Sequence, residues 1–372
     1  MAWSITKGLR WLWIGVTGVL LCGCGAEKPT ALRAELVLVD TLRLEEPDTL
    51  FLGEFLWVEV EWQPFRLYVP DLRLRRVVVF DSLGRPVQVI GRPGTEEPGT
   101  LYRVAQVLVH GDLVYVQQEY SRVSRFSRAG RFIDRPQLPE GYWLNSGFRS
   151  LDAAHIVIPS GAIDEPCASW FEPACPGTHA FSVVDTGLTR VVYRFGEYPL
   201  IYQEGDYVPR RAAVDVLPSQ RLAAVVYELA PELQLYVLGE REGQLIRRIA
   251  LHHPAWRTPP EAMRAELAVN DRERFNDLML QSSFMKRVFF VGDTLVLAHF
   301  FNLRPLYFER RGWDDRKVEP YGVIVATSGQ WQQPLALPGL VLGRDEAFHL
   351  YIRLSDEPGR RLIGRYRVVL KQ

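Results

Sequence analysis

Val77-Val78-Val79-Phe80-Asp81-Ser82-Leu83-Gly84-Arg85-Pro86-Val87-Gln88-Val89-Ile90-Gly91 reads as two β-rich runs around a turn. β-Branched residues favour a pleated, packed surface, and Ser-Leu-Gly-Arg is turn chemistry. After a Pro/Gly-rich connection ending at Pro98-Gly99, four more short runs follow at 103–109, 113–118, 122–127 and 131–135. His110-Gly111-Asp112 and Ser127-Arg128-Ala129-Gly130 supply tight turns between them, so these runs form one antiparallel meander. Phe80-Asp81-Ser82-Leu83-Gly84 returns as Phe126-Ser127-Arg128-Ala129-Gly130, 46 residues later. A period of that length marks a repeated four-stranded unit.

The stretch resembles the NHL/TolB-like six-bladed β-propeller repeat. Gly111-Asp112-Leu113-Val114-Tyr115-Val116 and Arg122-Val123-Ser124-Arg125-Phe126-Ser127-Arg128-Ala129-Gly130 carry that pattern, and Ile90-Gly91-Arg92-Pro93-Gly94 is similar to its blade-to-blade linker. The resemblance implies an all-β ring of four-stranded antiparallel blades.

Worked outward, the chain supplies them. Blade one takes 49–60, 65–69, 76–81 and 86–90, and blade two takes 103–135. Blade three takes 148–152, 155–159, 179–185 and 189–195; blade four takes 211–217, 221–228, 233–238 and 244–251. Blade five takes 284–291, 294–301, 321–327 and 332–337. Only three runs remain for the last blade, 339–342, 347–354 and 361–370. The alternating N-terminal run 34–44 supplies the fourth strand and closes the ring, which leaves no open sheet edge.

The segment 1–23 is read as a lipoprotein signal peptide. Lys7 and Arg10 precede the apolar stretch 11–21, too short to span a membrane, and Leu21-Cys22-Gly23-Cys24 is similar to a bacterial lipobox with Cys24 as the lipidated residue. No Asp follows Cys24, so nothing resembles an inner-membrane retention signal. Residues 24–33 form a tether and 34–372 the ring. The expected location is the cell envelope, anchored to the membrane on the outer-membrane or periplasmic side. Two cysteines then remain, Cys167 and Cys175, on one loop of an exported protein, and the expected outcome is a disulfide; a zinc site would have only His179 nearby.

With 44 basic and 44 acidic residues the chain lacks the basic excess of a nucleic-acid binder. Turns between strands one and two and between strands three and four are short. The long connections 160–178, 197–209, 252–283 and 302–320 therefore emerge at one end of the ring, and long loops commonly carry function. In 252–283, Thr258-Pro259-Pro260-Glu261 and Asn270-Asp271-Arg272-Glu273 read as starts of two short helices.

Trp170, Tyr202, Tyr207, His252, His253, Trp256 and Trp313 are the candidate binding residues. Phe171 and Tyr198 extend this aromatic set, which reads either as hot spots for a protein or carbohydrate or as loop-on-loop packing. His155, His299 and His349 read as core or channel residues. Asp206, Asp314, Asp315 and Glu319 could offer oxygen ligands to Ca²⁺, without the spacing of a calcium loop. No Gly-x-Ser-x-Gly, HExxH or P-loop occurs. Gluconolactonase-like propellers hold Ca²⁺ with Asn, Asp and Glu, and the asparagines here are Asn145, Asn270, Asn276 and Asn302. The reading favoured is a monomeric, non-enzymatic binding module without a cofactor; the alternative is a Ca²⁺-dependent hydrolase or lactonase.

Overall fold

Each blade of a ring packs on two neighbours, so both faces of its strands must be apolar. The run at 77–80 shows how this is met. In the computed structural model, which describes residues 32–118, 122–138, 147–159, 177–203, 211–309 and 315–371, Val77 and Val79 face one neighbouring blade while Val78 and Phe80 face the other. Alternation is therefore between two apolar interfaces rather than between core and water.

The strands run in chain order as β1 (Arg33–Arg43), then blade one, β2 (Glu59–Trp62), β3 (Phe65–Asp71), β4 (Arg76–Phe80) and β5 (Pro86–Ile90). A short parallel pair, β6 (Arg92–Pro93) and β7 (Thr100–Leu101), bridges to blade two: β8 (Val104–His110), β9 (Leu113–Gln118), β10 (Val123–Ser127) and β11 (Phe132–Asp134). Blade three is β12 (Arg149–Asp152), β13 (His155–Pro159), β14 (His179–Asp185) and β15 (Val191–Glu197). Blade four is β16 (Ala212–Leu217), β17 (Leu222–Tyr227), β18 (Ala230–Leu238) and β19 (Gly243–Ala250). Blade five is β20 (Ser283–Gly292), β21 (Leu295–Leu303), β22 (Val318–Ala326) and β23 (Gln332–Ala336). Blade six is β24 (Val341–Arg344), β25 (Leu350–Ser355) and β26 (Leu362–Lys371), completed by β1 in the order β1-β26-β25-β24. The innermost strands β2, β8, β12, β16, β20 and β24 neighbour one another in sequence, and β24 returns to β2. This is a closed six-bladed β-propeller with four antiparallel strands per blade.

The repeated glycines have a common cause. Gly84 and Gly130 both lie in the left-handed region, at φ 78° and 77°, and donate back to Asp81 and Ser127 in the outer hairpins β4–β5 and β10–β11. A Cβ on Gly84 would also meet the Arg43 carbonyl at 1.9 Å, so the turn sits against β1 itself.

Two local expectations need correction. The segment 49–60 is not one long strand; only Glu59–Trp62 pairs. Upstream, side chains take the place of a ladder: Leu52 N donates to Glu46 and Gly53 N to Asp71, while Arg361 donates to the carbonyls of Leu52 and Gly53 and Arg353 to that of Phe55. Thr258 does not cap a helix. The prolines at 259 and 260 hold the preceding residues extended, and α2 (Ala265–Asn270) starts after Arg264, following α1 (Leu200–Gln203) in chain order. Asp271 does cap α3 (Arg272–Leu280), accepting from Arg274 N at 3.1 Å, and Phe275 and Leu278 are buried beneath it. With α4 (Leu306–Glu309), these helices pack on the long-loop end of blades three to five.

Candidate functional site

The aromatic and histidine candidates among the described residues, Tyr202, His252, His253 and Trp256, do not form one exposed surface. Tyr202 is fully buried, packed against Tyr198 and Tyr227, and its hydroxyl accepts from Leu229 N at 2.6 Å. His253 lies between Phe300 and Tyr321, its Nδ1 accepting from Ala255 N at 3.0 Å, and burial lowers its pKa. Trp256 packs 5.1 Å from Phe300. These three are loop-to-blade packing; a side chain with no exposed surface, such as Tyr202, cannot meet a partner. His252 is exposed, and its backbone N donates to Gln332 Oε1 at 3.0 Å. Cys24, Cys167, Cys175, Trp170, Tyr207 and Trp313 lie outside the described residues, as do Asp206 and Asp314. Glu319 is paired with Arg304 at 3.1 Å. Among the described residues no group of three or more His, Cys, Asp or Glu side chains is placed to hold a metal ion.

The long-loop end instead carries a cavity of about 560 Å³ between blades four and five, roofed by α2, α3 and α4. Phe284, Phe301, Leu303, Phe275, Met279 and Phe308 make its walls apolar. At its base three charged groups meet: Arg211 from the start of blade four, Glu228 from the end of β17 and Lys286 from β20. Lys286 Nζ contacts Glu228 Oε1 and lies 5.3 Å from the ring centres of both Phe284 and Phe301. Arg211 Nη1 approaches the same carboxylate oxygen at 4.0 Å. Glu228 Oε2 is buried and makes no hydrogen bond. Among the described residues, the base therefore has two cations against one carboxylate, and Arg272 adds a third cation at the wall.

A second cavity, about 430 Å³, lies on the axis at the short-turn end, lined from five of the six inner strands. Asp215 from β16 is its hub. Its carboxylate accepts from Arg149 Nε of blade three at 2.7 Å, Arg344 Nε of blade six at 2.6 Å and Phe290 N of blade five at 2.9 Å. Glu59 of blade one faces the same group and has one long bond, from Val109 N at 3.5 Å. His110 Nδ1 contacts Ser150 Oγ beside it.

No family model matches the sequence, and no curated protein matches it. The fold is shared with two solved Bacteroides proteins. A member of the DUF4221 family from Bacteroides vulgatus superposes with a TM-score of 0.67 at 13% identity, covering 91% of this chain and 99% of its own. A Bacteroides fragilis protein, named as exported by inference, gives 0.60 at 12% identity over 91% and 96%. Identity this low shows the common architecture and leaves the chemistry to the side chains described here.

None of the base residues was singled out from sequence, although two signals existed. Only five of the 44 basic residues are lysine, and Lys286 interrupts the apolar run Phe284–Val291; Asp215 likewise interrupts Ala-Ala-Val-Asp-Val-Leu. A charge inside a buried strand is costly unless paired, which makes it conspicuous.

Glu59 makes a measurable prediction. Desolvation pushes its carboxyl up to about 7 from the ordinary 4.5, with Arg149 and Arg344 opposing and Asp215 reinforcing. The folded state then holds this proton more tightly than the unfolded chain. Its contribution to stability is fully present below about pH 4.5 and is lost as pH rises through about 7. Glu59→Gln should therefore be more stable than the parent at pH 8 by about 1–3 kcal/mol and nearly equal to it at pH 4.5. Urea midpoints at the two pH values check this, and a difference between the proteins that stays the same at both would overturn it.

Proposed function

We propose that the chain is an exported, lipid-anchored propeller that binds a small amphipathic anion in the cavity between blades four and five. The observation that carries this is the junction of an aromatic-walled, 560 Å³ cavity with an excess of cationic groups at its base. Enclosed apolar volume with a few convergent polar groups is the usual form of a small-molecule site. An apolar body would lie along Phe284, Phe301 and Leu303, and its anionic end would meet Lys286 and Arg211. The apolar stretch ahead of Cys24 supports export, as does the naming of the Bacteroides fragilis neighbour as exported. The long-loop end of the ring is thus the binding end, through its inter-blade cavity rather than an exposed aromatic surface.

The test uses 1-anilinonaphthalene-8-sulfonate, an aromatic anion, as a fluorescent probe. Saturable binding is expected, abolished by Ala268→Trp, which fills the mouth from the partly exposed face of α2, and weakened about tenfold by Lys286→Met through loss of a charge-assisted contact. Thermal melts of both variants check that the ring remains folded. Non-saturable binding, or identical titrations for parent and Ala268→Trp, would sink the reading.

A further inference from the structure

We infer that Lys286 is a carbonyl-capturing residue that forms a reversible imine with a hydrophobic 2-oxo acid seated in the inter-blade cavity. The inference rests on the binding reading above and names its ligand class. Three independent observations carry it.

The first is compositional. In a chain where 39 of 44 basic residues are arginine, the cation at this cavity base is a lysine. A guanidinium stays protonated and is a poor nucleophile, whereas a lysine can shed its proton and attack a carbonyl carbon. The second is access. Lys286 is set deep between two aromatic rings, yet its side chain keeps 25% of its surface, facing the cavity. The third is a proton acceptor in contact. Glu228 touches the ammonium through Oε1, and its Oε2 is buried without a hydrogen bond. Moving the proton from nitrogen to carboxylate replaces two buried charges by a neutral pair, which a low-dielectric site favours.

The charged and titratable surroundings act in both directions. Burial, with Arg211 from blade four and Arg287 from β20 itself, pushes the ammonium well below its ordinary range. Glu228 opposes this as the counter-ion. Among the described residues, His299 from β21, Arg272 from α3 and Tyr307 from α4 also lie near it.

The chemistry balances without any oxidant or reductant. Lys286 passes a proton to Glu228, and the amine lone pair forms the N–C bond while the carbonyl π pair moves to oxygen. The amine proton shifts to that oxygen, giving the carbinolamine. Glu228 then returns its proton to the hydroxyl, the C–O bond breaks and one water leaves, giving a protonated imine beside a carboxylate. The ligand carboxylate meets Arg211, which stands 4.0 Å from Glu228 and remains cationic throughout.

The test incubates the full chain with phenylpyruvate and sodium cyanoborohydride, which reduces an imine to a stable secondary amine, followed by peptide mass mapping. With so few lysines the map is short. The expected result is an adduct on Lys286 at least tenfold above that on Lys371, whose side chain is 56% exposed. Lys286→Arg should abolish the adduct, and a thermal melt checks that this variant remains folded. Ala268→Trp should abolish both the adduct and probe binding. An adduct spread evenly over the lysines, or none at 286 while the probe still binds, overturns the imine and leaves the binding reading intact. Loss of saturable probe binding in the parent overturns both.

Discussion

Deletion of residues 33–43 is expected to make the protein aggregate. β1 pairs with β26 from Arg33↔Lys371 to Arg43↔Leu362, with one irregularity between Leu38 and Asp40. It also grips the next blade, where Ala34 N donates to Gln333 Oε1 at 2.7 Å and Gln333 Nε2 returns a bond to Ala34 O at 2.8 Å. Ala34 is buried in the interface of blades five and six, and Leu42 in that of blades six and one. Removing the strand discards roughly ten backbone pairings at about 1 kcal/mol each, comparable to the whole stability of an ordinary domain. What remains is the bare edge of β26, a ten-residue strand of sequence LIGRYRVVLK. A long unpaired edge of that kind templates intermolecular pairing. Light scattering after size exclusion, with a thermal melt, reads the outcome; a monomeric truncate with an unchanged midpoint would show that the ring does not depend on this closure.

Asp215→Ala should cost about 3–5 kcal/mol, the range for breaking a buried pair by removing one partner. The carboxylate is 1% exposed and holds Arg149 and Arg344, whose side chains are only 15% and 14% exposed. Its loss removes the carboxylate partner of two guanidinium groups and of the Phe290 amide, and with it one tie from blade four to each of three other blades. Arg85→Ala is the contrasting case. That arginine also sits 2.9 Å from an aspartate, Asp81, but is 57% exposed, so water competes for the guanidinium and under about 1 kcal/mol is expected. Urea denaturation of the two variants compares them directly, and equal losses would refute the assignment of Asp215 as the cross-ring clamp. A secondary effect follows at Glu59, which faces both arginines. Without the neighbouring charge of Asp215 its pKa comes down, and the pH dependence described above becomes shallower.

Local pattern and spacing, read with the resemblance to a six-bladed propeller repeat, were enough for the architecture. The Phe80–Gly84 and Phe126–Gly130 repeat, the apolar runs with glycine turns between them and the shortfall of one strand at the C-terminus fit the ring that the resemblance implies, closed by the first strand. Each of these signals spans few residues and is enforced by backbone sterics or by alternation of side chains. The start of α3 was legible for the same reason, though the pattern Asn270-Asp271-Arg272-Glu273 puts the cap at Asn270 and the structure puts it at Asp271. The site was not. Lys286 meets Glu228 across 58 positions of sequence, Arg149 meets Asp215 across 66 and Arg344 meets it across 129. Alternation along a strand says that a side chain faces a neighbouring blade; it does not say which residue of that blade stands opposite. That is decided by blade register and ring closure. It is also why Tyr202, read from its loop as either a binding aromatic or loop packing, ends in the core, and why a lysine inside an apolar run ends at the base of a cavity.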